Sequence, residues 1–372
     1  MSVARPTILI LTTHTGGGHL NLAQSLRRML EPHYDVAIAN PQSELVDGWY
    51  STMIRHVPPY LKWQYVLTDN APAALCLHKT LTLLSCKHIL DLLDRFQPRL
   101  VITTHALLSY ATAQAIRRSR KRIPLVFQLT DLGQLHMTWF SEKQAGAYLA
   151  PTREIAAQAL EQGIDSSRLH LTGRPVRRQF LEVSPHERSY TLAALGFDAG
   201  IFTVFLQGGA KGSAGIDRVI ANMLNMDVRV QIILAAGNNR GLASRYAGVE
   251  RVRVLPFTEL LAPYMAAADV IAGKAGASFI AEAFMLEKPF LVTSYIAGQE
   301  SANLQFIEQH NLGWVCMETG SQRELLAGIA RNPGMIAEKL VSIRDYKAWN
   351  REANQRVRPV IDELLSAYQA SV

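Results

Sequence analysis

Side chains suited to binding a phosphorylated ligand cluster in the stretch GKAGASFIAEAF, which begins at Gly273. Lys274 lies in a turn of small residues that continues through Gly276, Ala277 and Ser278. The pattern predicts a buried strand before this turn and a helix after it. Such a turn directs backbone N–H groups and the positive end of the helix dipole towards an anion, and the lysine adds a point charge suited to phosphate. The stretch therefore predicts an anion site.

Four polar residues follow this turn. Glu282 lies one helical turn after Ser278, where a carboxylate can accept hydrogen bonds from two ribose hydroxyls. Gln299, Glu300 and Asn303 follow the next predicted strand. Because open α/β sheets bind ligands at the carboxyl ends of their strands, these groups predict a nucleotide site. One more strand–helix unit with solvated ends would show the same polar residues, so that alternative stays open.

A second candidate site lies near the N-terminus, where His19 follows three consecutive glycines. The apolar run Thr7–Thr12 predicts a buried strand, and Gly16, Gly17 and Gly18 connect it to a predicted helix. The glycines let a substrate approach the backbone closely. A neutral imidazole at the helix start is a candidate general base, for which we expect a near-neutral pKa. A histidine that merely caps the helix is the alternative.

Two common nucleotide motifs do not fit this N-terminal loop. A dinucleotide site needs G-x-G-x-x-G and an acidic residue after the second strand. Here the glycines are consecutive, and the second predicted strand, Asp35–Ala39, ends in Asn40. A P-loop needs G-K-[ST], which the loop lacks. The loop therefore argues against binding of NAD and against a P-loop NTPase.

The stretch that begins at Gly273 resembles a known family. GKAGASFIAEA followed by YIAGQESAN is similar to the donor-sugar half of the monogalactosyldiacylglycerol synthases and processive diacylglycerol glucosyltransferases. These are GT-B glycosyltransferases related to the peptidoglycan-forming N-acetylglucosaminyltransferase. The family usually has Pro and Gly after the KAG triplet, where this chain has Ala277 and Ser278. The departure is mild because each position keeps a small residue.

Further family motifs lie in the first half of the chain. TGGGHLNLA resembles the loop that faces the acceptor in that family. Asp131, His136 and Trp139 in TDLGQLHMTWF resemble the T-D-x-x-x-H-x-x-W pattern of the bacterial glucosyltransferases, with one additional residue between Asp131 and His136. His105 follows a predicted strand, with Ala106 where the related enzymes usually have proline. The resemblance thus covers both halves of the chain.

The family's interdomain motif, G-x-P-x-R, matches Gly173 to Arg177, and the resemblance implies that Arg177 faces the donor diphosphate. It also implies an α/β protein of the GT-B fold, with two Rossmann-like domains facing a central cleft. We expect an N-terminal acceptor- and membrane-binding domain over residues 1–183 and a C-terminal UDP-sugar-binding domain over residues 184–350. Residues 351–372 are expected to form a C-terminal helix that packs back on the first domain.

The implied function is that of an inverting glycosyltransferase, which moves galactose or glucose from a UDP-sugar to a lipid, with diacylglycerol as the expected acceptor. His19 would deprotonate the acceptor, Asp131 would position its hydroxyl or orient a histidine, and Lys274 would stabilise the leaving diphosphate. The other expected contacts are those of Gly208, Gly209, Gly276, Ala277, Ser278 and Arg177 with the diphosphate, Phe257 and Thr258 with uracil, Glu282 with ribose, Gln299, Glu300 and Asn303 with the sugar, and Gly16, Gly17, Gly18, His105, His136 and Trp139 with the acceptor. No D-x-D motif occurs in the sequence, so we expect no metal and no other cofactor in donor binding.

Length and composition predict a globular protein of about two domains, because the chain has 372 residues, of which 48% are hydrophobic and 19% charged. No apolar run reaches the ~18 residues that would span a bilayer. We expect no signal peptide at Met1. Cys76, Cys86 and Cys316 lack C-x-x-C spacing, which argues against disulfides and a zinc site. These features predict a cytoplasmic protein.

The formal net charge of +7 favours an anionic partner. No zinc-finger or RNA-binding motif occurs, so we expect no nucleic acid. Aromatic and basic residues mix in Trp49–Leu67, as at membrane interfaces, and Arg117–Arg122 is a basic run. A pair of core helices would also use such aromatics, and a helix dipole alone favours such a run. We expect peripheral association with an anionic membrane surface.

Three rival functions stay open. A transferase for a soluble or isoprenoid-linked acceptor would share the donor half and use the aromatic stretch as core. A sugar-nucleotide epimerase would share the fold. A non-catalytic nucleotide-sugar-binding protein would bind UDP without turnover, although His19, Lys274 and Glu282 argue against such a loss of activity.

Overall fold

A computed structural model describes residues 5–13, 17–42, 63, 65–183, 187–207 and 215–370. Contacts within the chain divide it into two compact units. The first unit comprises Met1–Arg177, Ala297–Ala302 and Trp349–Val372. The second unit comprises Arg178–Ile296 and Asn303–Ala348.

Six parallel strands form the sheet of the first unit. They are β1 (Thr7–Leu11), β2 (Asp35–Ala39), β3 (Leu100–Thr103), β4 (Leu125–Gln128), β5 (Ala147–Ala150) and β6 (Leu169–Leu171). Their order in the sheet is β2-β1-β3-β4-β5-β6. The central strands are continuous apolar runs, and Ile8 to Leu11 are fully buried. A parallel sheet is covered by helices on both faces, which explains why these strands do not alternate apolar with polar residues.

Helices connect these strands. They are α1 (Gly17–Leu30), α2 (Ala71–Phe96), α3 (Ala106–Ser119) and α4 (Arg153–Glu161), with short 3-10 helices at Met137–Phe140 and Ser166–Arg168. Asn70 caps the start of α2 by accepting a hydrogen bond from the Ala73 N–H at 3.0 Å. Pro72 occupies the first turn, where its missing N–H costs nothing. The cap and the proline therefore fix the start of α2.

The second unit contains another parallel sheet of six strands. They are β7 (Phe202–Gln207), β8 (Val230–Ala235), β9 (Val252–Leu255), β10 (Val270–Lys274), β11 (Phe290–Ser294) and β12 (Gly313–Val315). The order is β12-β11-β10-β7-β8-β9. This is the doubly wound order of a Rossmann fold, in which the first strand lies beside the fourth.

The second unit has its own helices. They are α5 (Glu187–Ala194), α6 (Ile216–Leu224), α7 (Arg240–Tyr246), α8 (Ala262–Ala267), α9 (Ala277–Met285), α10 (Ser301–Gln309), α11 (Thr319–Arg331) and α12 (Gly334–Asn354), with a 3-10 helix at Arg178–Phe180. The first two residues of α10 and the end of α12 from Trp349 belong to the first unit. Each sheet therefore has its own helical layers, as the sequence predicted.

The last helix, α13 (Val357–Ala370), belongs to the first unit. Its apolar face, which includes Val357, Ile361 and Leu365, joins the core cluster that contains Ile8 of β1. The return of a C-terminal helix to the first unit confirms this part of the predicted fold. The sequence predicted one helix from Arg351, whereas α12 ends at Asn354 and a turn at residues 355–356 separates the two helices.

Each sheet has a point at which the order of its strands reverses. It lies between β1 and β3 in the first unit and between β7 and β10 in the second. Loops diverge there and leave a crevice, where open α/β sheets bind their ligands. The candidate residues after β1, β3 and β10 therefore lie where a ligand is expected. No helix within the described ranges is both long enough and apolar enough to cross a bilayer.

Candidate active site

His19 lies at the reversal point of the first sheet. It is the third residue of α1, which follows β1, and its ring Nδ1 lies 2.8 Å from the carbonyl oxygen of Thr104, directly after β3. A carbonyl oxygen only accepts hydrogen bonds, so Nδ1 carries the proton and Nε2 carries a lone pair. The fold thus presents His19 in the tautomer that can accept a proton at Nε2.

The pKa of His19 is lower than the sequence suggested. Burial lowers it from the ordinary value to about 4, against the opposing effect of the Thr104 hydrogen bond, and the charge of Arg174 lowers it further. The expected near-neutral pKa is therefore wrong, because a charged imidazolium would lose hydration and face a cation. His19 is neutral at pH 7.

His105 packs beside His19, with 4.4 Å between the ring centroids. Its Nδ1 accepts a hydrogen bond from the Leu107 N–H at 3.2 Å and so caps α3. Burial, followed by the nearby His19 and His78, holds the pKa of His105 well below its ordinary value. This predicted acceptor residue is brought against the candidate base, and it also stabilises the helix after β3.

His136 and Trp139 have clear structural roles in the first unit. The Nδ1 of His136 accepts a hydrogen bond from the Thr138 N–H at 3.2 Å, and its Nε2 donates to the Tyr65 carbonyl at 3.1 Å. Burial lowers the pKa of His136, against the raising effect of Asp69. Trp139 is buried in the core cluster under β4 and α3. Packing and capping therefore explain both residues of the motif.

Asp131 follows β4 and lies half-buried at the end of that strand. The backbone carbonyl before it, that of Thr130, accepts a hydrogen bond from the Arg174 guanidinium. Tyr65 faces the same region, because its pKa is raised first by burial and then by the charges of Asp131 and Asp69. Asp131, which we expect to position the acceptor hydroxyl or orient a histidine, is thus held through its neighbouring peptide.

Arg174 and Asn350 are site-supporting residues that the sequence did not single out. Arg174 is buried within the G-x-P-x-R motif, in which the family resemblance implied a role for Arg177 alone. Its backbone N–H donates to Asn350 Oδ1 at 2.7 Å, and Asn350 Nδ2 donates to the Arg174 carbonyl at 3.0 Å. Arg177 is half-buried at the end of the first unit. A basic residue inside a linker motif is uncommon, and this was the signal by which the sequence could have indicated Arg174.

The phosphate-type turn of the second unit follows β10. Strand β11 pairs Val292 with Gly273 and Ser294 with Lys274, so one extra residue forms a bulge there. A Cβ atom on Gly273 would lie 2.3 Å from the Gln207 carbonyl oxygen of β7, which only glycine tolerates. The bulge ends β10 at Lys274, which is half-buried at the reversal point.

The N-terminus of α9 begins directly after this turn, with Gly276 as its N-cap. Within the described part of the chain no side chain caps this helix, and its first turn contains no acidic residue. Ala277 and Ser278 therefore begin a helix whose dipole meets no negative charge from its own first turn. The geometry fits the predicted anion site.

Asn303 supports the turn from behind. It is buried, and its Nδ2 donates to the Ala275 carbonyl at 3.0 Å. The Ala275 N–H donates in turn to the Ser294 carbonyl at 2.9 Å. The sequence predicted Asn303 as a sugar ligand, and the structure shows in addition that it fixes the turn between Lys274 and Gly276.

The two predicted carboxylates are both buried, Glu282 on α9 and Glu300 before α10. Gln299 is half-buried and follows Gly298, whose positive φ of 89° suits glycine at this sharp turn. Glu282 and Lys274 belong to the second unit, and Gln299 and Glu300 belong by their contacts to the first.

The predicted uracil loop follows β9. Phe257 is 67% exposed, and Thr258 Oγ1 accepts a hydrogen bond from the Leu260 N–H at 3.1 Å. Gln179, which the sequence did not indicate, holds the loop by accepting from Leu261 and Ala262 N–H groups at 2.9 and 3.0 Å. Its Nε2 donates to the Glu259 carbonyl at 2.8 Å. The exposed Phe257 ring, which is available for stacking, therefore lies on a loop that Gln179 holds in place.

Several predicted residues lie outside the described part of the chain, namely Gly16, Gly208 and Gly209. Gly17 and Gly18 begin α1. Of the aromatic stretch Trp49–Leu67, Trp63 and residues 65–67 are described.

Two leucines are exposed on the outward face of α2. Leu83 and Leu84 are 79% and 58% exposed, and Lys79 and Lys87 flank them on exposed positions. The inward face includes polar side chains, and His78 donates from Nε2 to the Thr138 carbonyl at 2.9 Å. Exposed leucines between lysines form a small amphipathic surface that the sequence did not indicate.

The basic run Arg117–Arg122 is partly engaged within the first unit. Arg117 pairs with Glu142 at 2.6 Å, and Lys121 pairs with Asp94 at 2.7 Å. These pairs reduce the positive charge that the run offers to an external anion.

Comparison with protein families gives two matches, which together cover most of the chain. Residues 20–176 match the family described as monogalactosyldiacylglycerol (MGDG) synthase, and residues 203–332 match the glycosyltransferase family 28 C-terminal domain. The boundary between the matches falls between β6 and β7, at the junction of the two units.

Curated relatives agree with these matches. Monogalactosyldiacylglycerol synthase 3 of Arabidopsis thaliana is 28% identical over 335 residues, which cover 82% of this chain and 70% of the relative. The probable monogalactosyldiacylglycerol synthase of Glycine max is 29% identical over 336 residues, which cover 82% of this chain and 62% of the relative. The chain therefore spans between three fifths and seven tenths of these relatives.

Solved structures share the fold. Acinetobacter baumannii MurG covers 96% of this chain and 99% of its own, at 15% identity and a TM-score of 0.63. Anabaena HepE in complex with UDP-glucose covers 96% and 99%, at 16% identity and a TM-score of 0.57. A putative UDP-N-acetylglucosamine 2-epimerase from Listeria monocytogenes covers 96% of each chain, at 11% identity and a TM-score of 0.61. At identities this low, the structural similarity establishes the shared GT-B architecture alone.

Proposed function

Because the chain belongs to the GT-B glycosyltransferases related to monogalactosyldiacylglycerol synthase, we propose that it transfers a hexose from a UDP-sugar to diacylglycerol with inversion. The acceptor hydroxyl oxygen attacks the anomeric carbon while the bond from that carbon to the UDP oxygen breaks. UDP leaves with the bonding electrons, and the hydroxyl proton passes to the protein.

The observation that supports this step most directly is the state of His19. Its Nδ1–H is held by the Thr104 carbonyl, which leaves Nε2 as the proton acceptor. An imidazole with a pKa of about 4 is a weak base. The acceptor hydroxyl becomes more acidic as its oxygen bonds to the anomeric carbon, so a weak base can take the proton in the transition state.

In the donor half, we propose that the start of α9 and Lys274 contact the diphosphate, and we keep Arg177, Gly208 and Gly209 as further expected contacts. Glu282 accepts the ribose hydroxyls, and Phe257 and Thr258 contact uracil. Gln299 and Glu300 hold the sugar. Because fixed positive charges and helix N–H groups stabilise the leaving group, donor binding needs no metal, in line with a sequence that lacks D-x-D. Chelation with EDTA is therefore expected to leave turnover unchanged.

The first unit is proposed to dock on an anionic bilayer, where diacylglycerol resides. Leu83 and Leu84 would enter the interface, and Lys79 and Lys87 would meet lipid headgroups. Trp63, which is also exposed, extends the apolar contact. This proposal adds the outward face of α2 to the docking surface expected from the stretch Trp49–Leu67 and from the basic run, which is partly paired.

A single assay series tests the proposed function. UDP-galactose and UDP-glucose are each incubated with diacylglycerol in anionic vesicles, and product mass and anomeric configuration are measured. Glycosyl diacylglycerol of inverted configuration is the expected product. A new UDP-sugar formed from donor alone would indicate an epimerase, and glycosylation of soluble acceptors alone would replace the lipid assignment.

A further inference from the structure

Arg174 is an arginine in an unusual position, because it is 2% exposed within a linker. Burial of a guanidinium is unfavourable unless hydrogen bonds and nearby groups compensate. Its guanidinium donates to the carbonyl of Thr130, the residue directly before Asp131. The side chain therefore reaches from the linker to the end of β4.

The backbone of Arg174 is fixed as firmly as its side chain. The Asn350 amide exchanges two hydrogen bonds with it, at 2.7 and 3.0 Å. At the preceding Gly173, φ is 69°, and a Cβ atom there would lie 2.6 Å from Asn350 Oδ1. The linker thus passes so close to α12 that only glycine fits, and Arg174 is anchored at both of its ends.

The anchored guanidinium lies near His19, because the Thr130 carbonyl that it contacts and the Thr104 carbonyl that His19 contacts follow the paired strands β4 and β3. Within the described part of the chain, the groups around this imidazole include the Thr104 carbonyl and the His105 ring from the β3–α3 junction, and the Arg174 charge acts on it from the linker. His78 stands behind His105 and acts on that ring. Of these groups, Arg174 carries the fixed positive charge, since His78 and His105 are neutral at pH 7 through the lowering of their pKa by burial.

We propose that Arg174 is a positioning residue of the acceptor half, which holds Asp131 through Thr130 and sets a fixed positive charge opposite His19. The inference rests on the proposed function of His19 as the base. It follows that the free enzyme keeps His19 without a proton even in mildly acidic solution, so that the acceptor meets a neutral imidazole.

The test compares Arg174→Met, Arg174→Lys and the surface control Arg178→Met, whose arginine pairs with Glu182 at 2.6 Å. Titration of His19 is followed by NMR, with its signals assigned by their loss in His19→Gln. In Arg174→Met, loss of the cation is expected to raise the His19 pKa by roughly one unit, the size typical of one nearby charge. The acid limb of kcat/KM should move to higher pH by the same amount, because that limb reports the free enzyme.

Arg174→Lys separates the two parts of the proposal and protects the test against a Met variant that does not fold. It keeps the charge, so the His19 pKa should stay as in the wild type, but an ammonium cannot reproduce the guanidinium geometry at Thr130 and kcat should fall. Arg178→Met should change neither reading. An unmoved His19 titration in Arg174→Met, or a shifted one in Arg174→Lys, would overturn the proposal. Since NMR needs no substrate, a shift without any transfer activity would instead reject the proposed function.

Discussion

The two units share a sheet design, and the roles that we propose for them are electrostatically opposite. At the reversal point of the first sheet, Thr104 and His105 contact the half-buried, neutral imidazole of His19. At the reversal point of the second, Lys274 and the start of α9 are the groups that we propose to bind an anion. Proton acceptance needs a group kept neutral, and charge stabilisation needs one kept positive. Similar loops in the two units therefore differ in charge state because of burial and capping.

The largest expected effect comes from removal of the imidazole in the first unit. His19→Ala should lower kcat by about 10²–10⁴, the usual contribution of a general base, while UDP affinity is unchanged. Steady-state kinetics and calorimetric UDP titration measure the two quantities. His33→Ala, at an exposed position beyond α1, is the matched control. Turnover within a few-fold of the wild type would move the base to Asp131.

Removal of the buried carboxylate tests the second unit. Glu282→Ala should weaken UDP binding by about 1–3 kcal/mol, through loss of charge-assisted hydrogen bonds to ribose. Lys274→Ala should slow turnover more than it weakens binding, because the leaving-group charge is greatest in the transition state. Calorimetry and kinetics on both variants separate these effects. Glu308→Ala, on the exposed face of α10, is the control, and wild-type affinity in Glu282→Ala would place the ribose elsewhere.

Acidic pH should lower the stability of the first unit more than that of the second. His19 has a pKa of about 4 when folded and an ordinary value near 6.5 when unfolded, so the unfolded state binds more protons between these values. The contribution of neutral His19 to the free energy of unfolding is present above pH 6.5 and is lost as pH falls towards 4. Between pH 7.5 and 5.5 this loss amounts to about 1 kcal/mol, and other histidines with a lowered pKa lie in the first unit.

Hydrogen exchange at the two pH values measures this difference unit by unit. Protection should fall first in β1 and β3, and His19→Gln should reduce the pH dependence. Equal loss of protection in both units would contradict the expected location of the acid-sensitive groups.

The smallest effect concerns membrane docking. Leu83→Ser with Leu84→Ser should reduce sedimentation with anionic liposomes several-fold and leave UDP affinity unchanged, because both side chains are exposed on α2. Leu160→Ser, another exposed leucine on α4, serves as the control. If both sets of variants sediment like the wild type, the surface lies elsewhere in the first unit.

Much of the fold could be predicted because the signals are local. Continuous apolar runs such as Thr7–Leu11 and Val270–Ala272 mark strands buried on both faces, and small residues after each strand mark the turns. The motif residues His19, Lys274 and Glu282 were recognisable for the same reason. Their positions after β1 and β10 follow from the order of the elements.

What the sequence did not predict depends on contacts between distant residues. The pKa of His19 depends on burial and on Arg174, 155 residues later by their numbers. The hydrogen bond of Asn303 to the Ala275 carbonyl could not be predicted, because it forms only after folding. The exposure of Leu83 and Leu84 could not be predicted either, since apolar periodicity does not state which face of a helix is covered.

The return of α13 to the first sheet has a consequence for how the chain matures. Val357, Ile361 and Leu365 complete the core around Ile8, so β1 lacks part of its packing during synthesis until α13 has emerged. Residues 178–348 contain the whole second unit and can close their own core before that. The first unit therefore completes its core later than the second, and its apolar strands stay incompletely packed while the second unit is made.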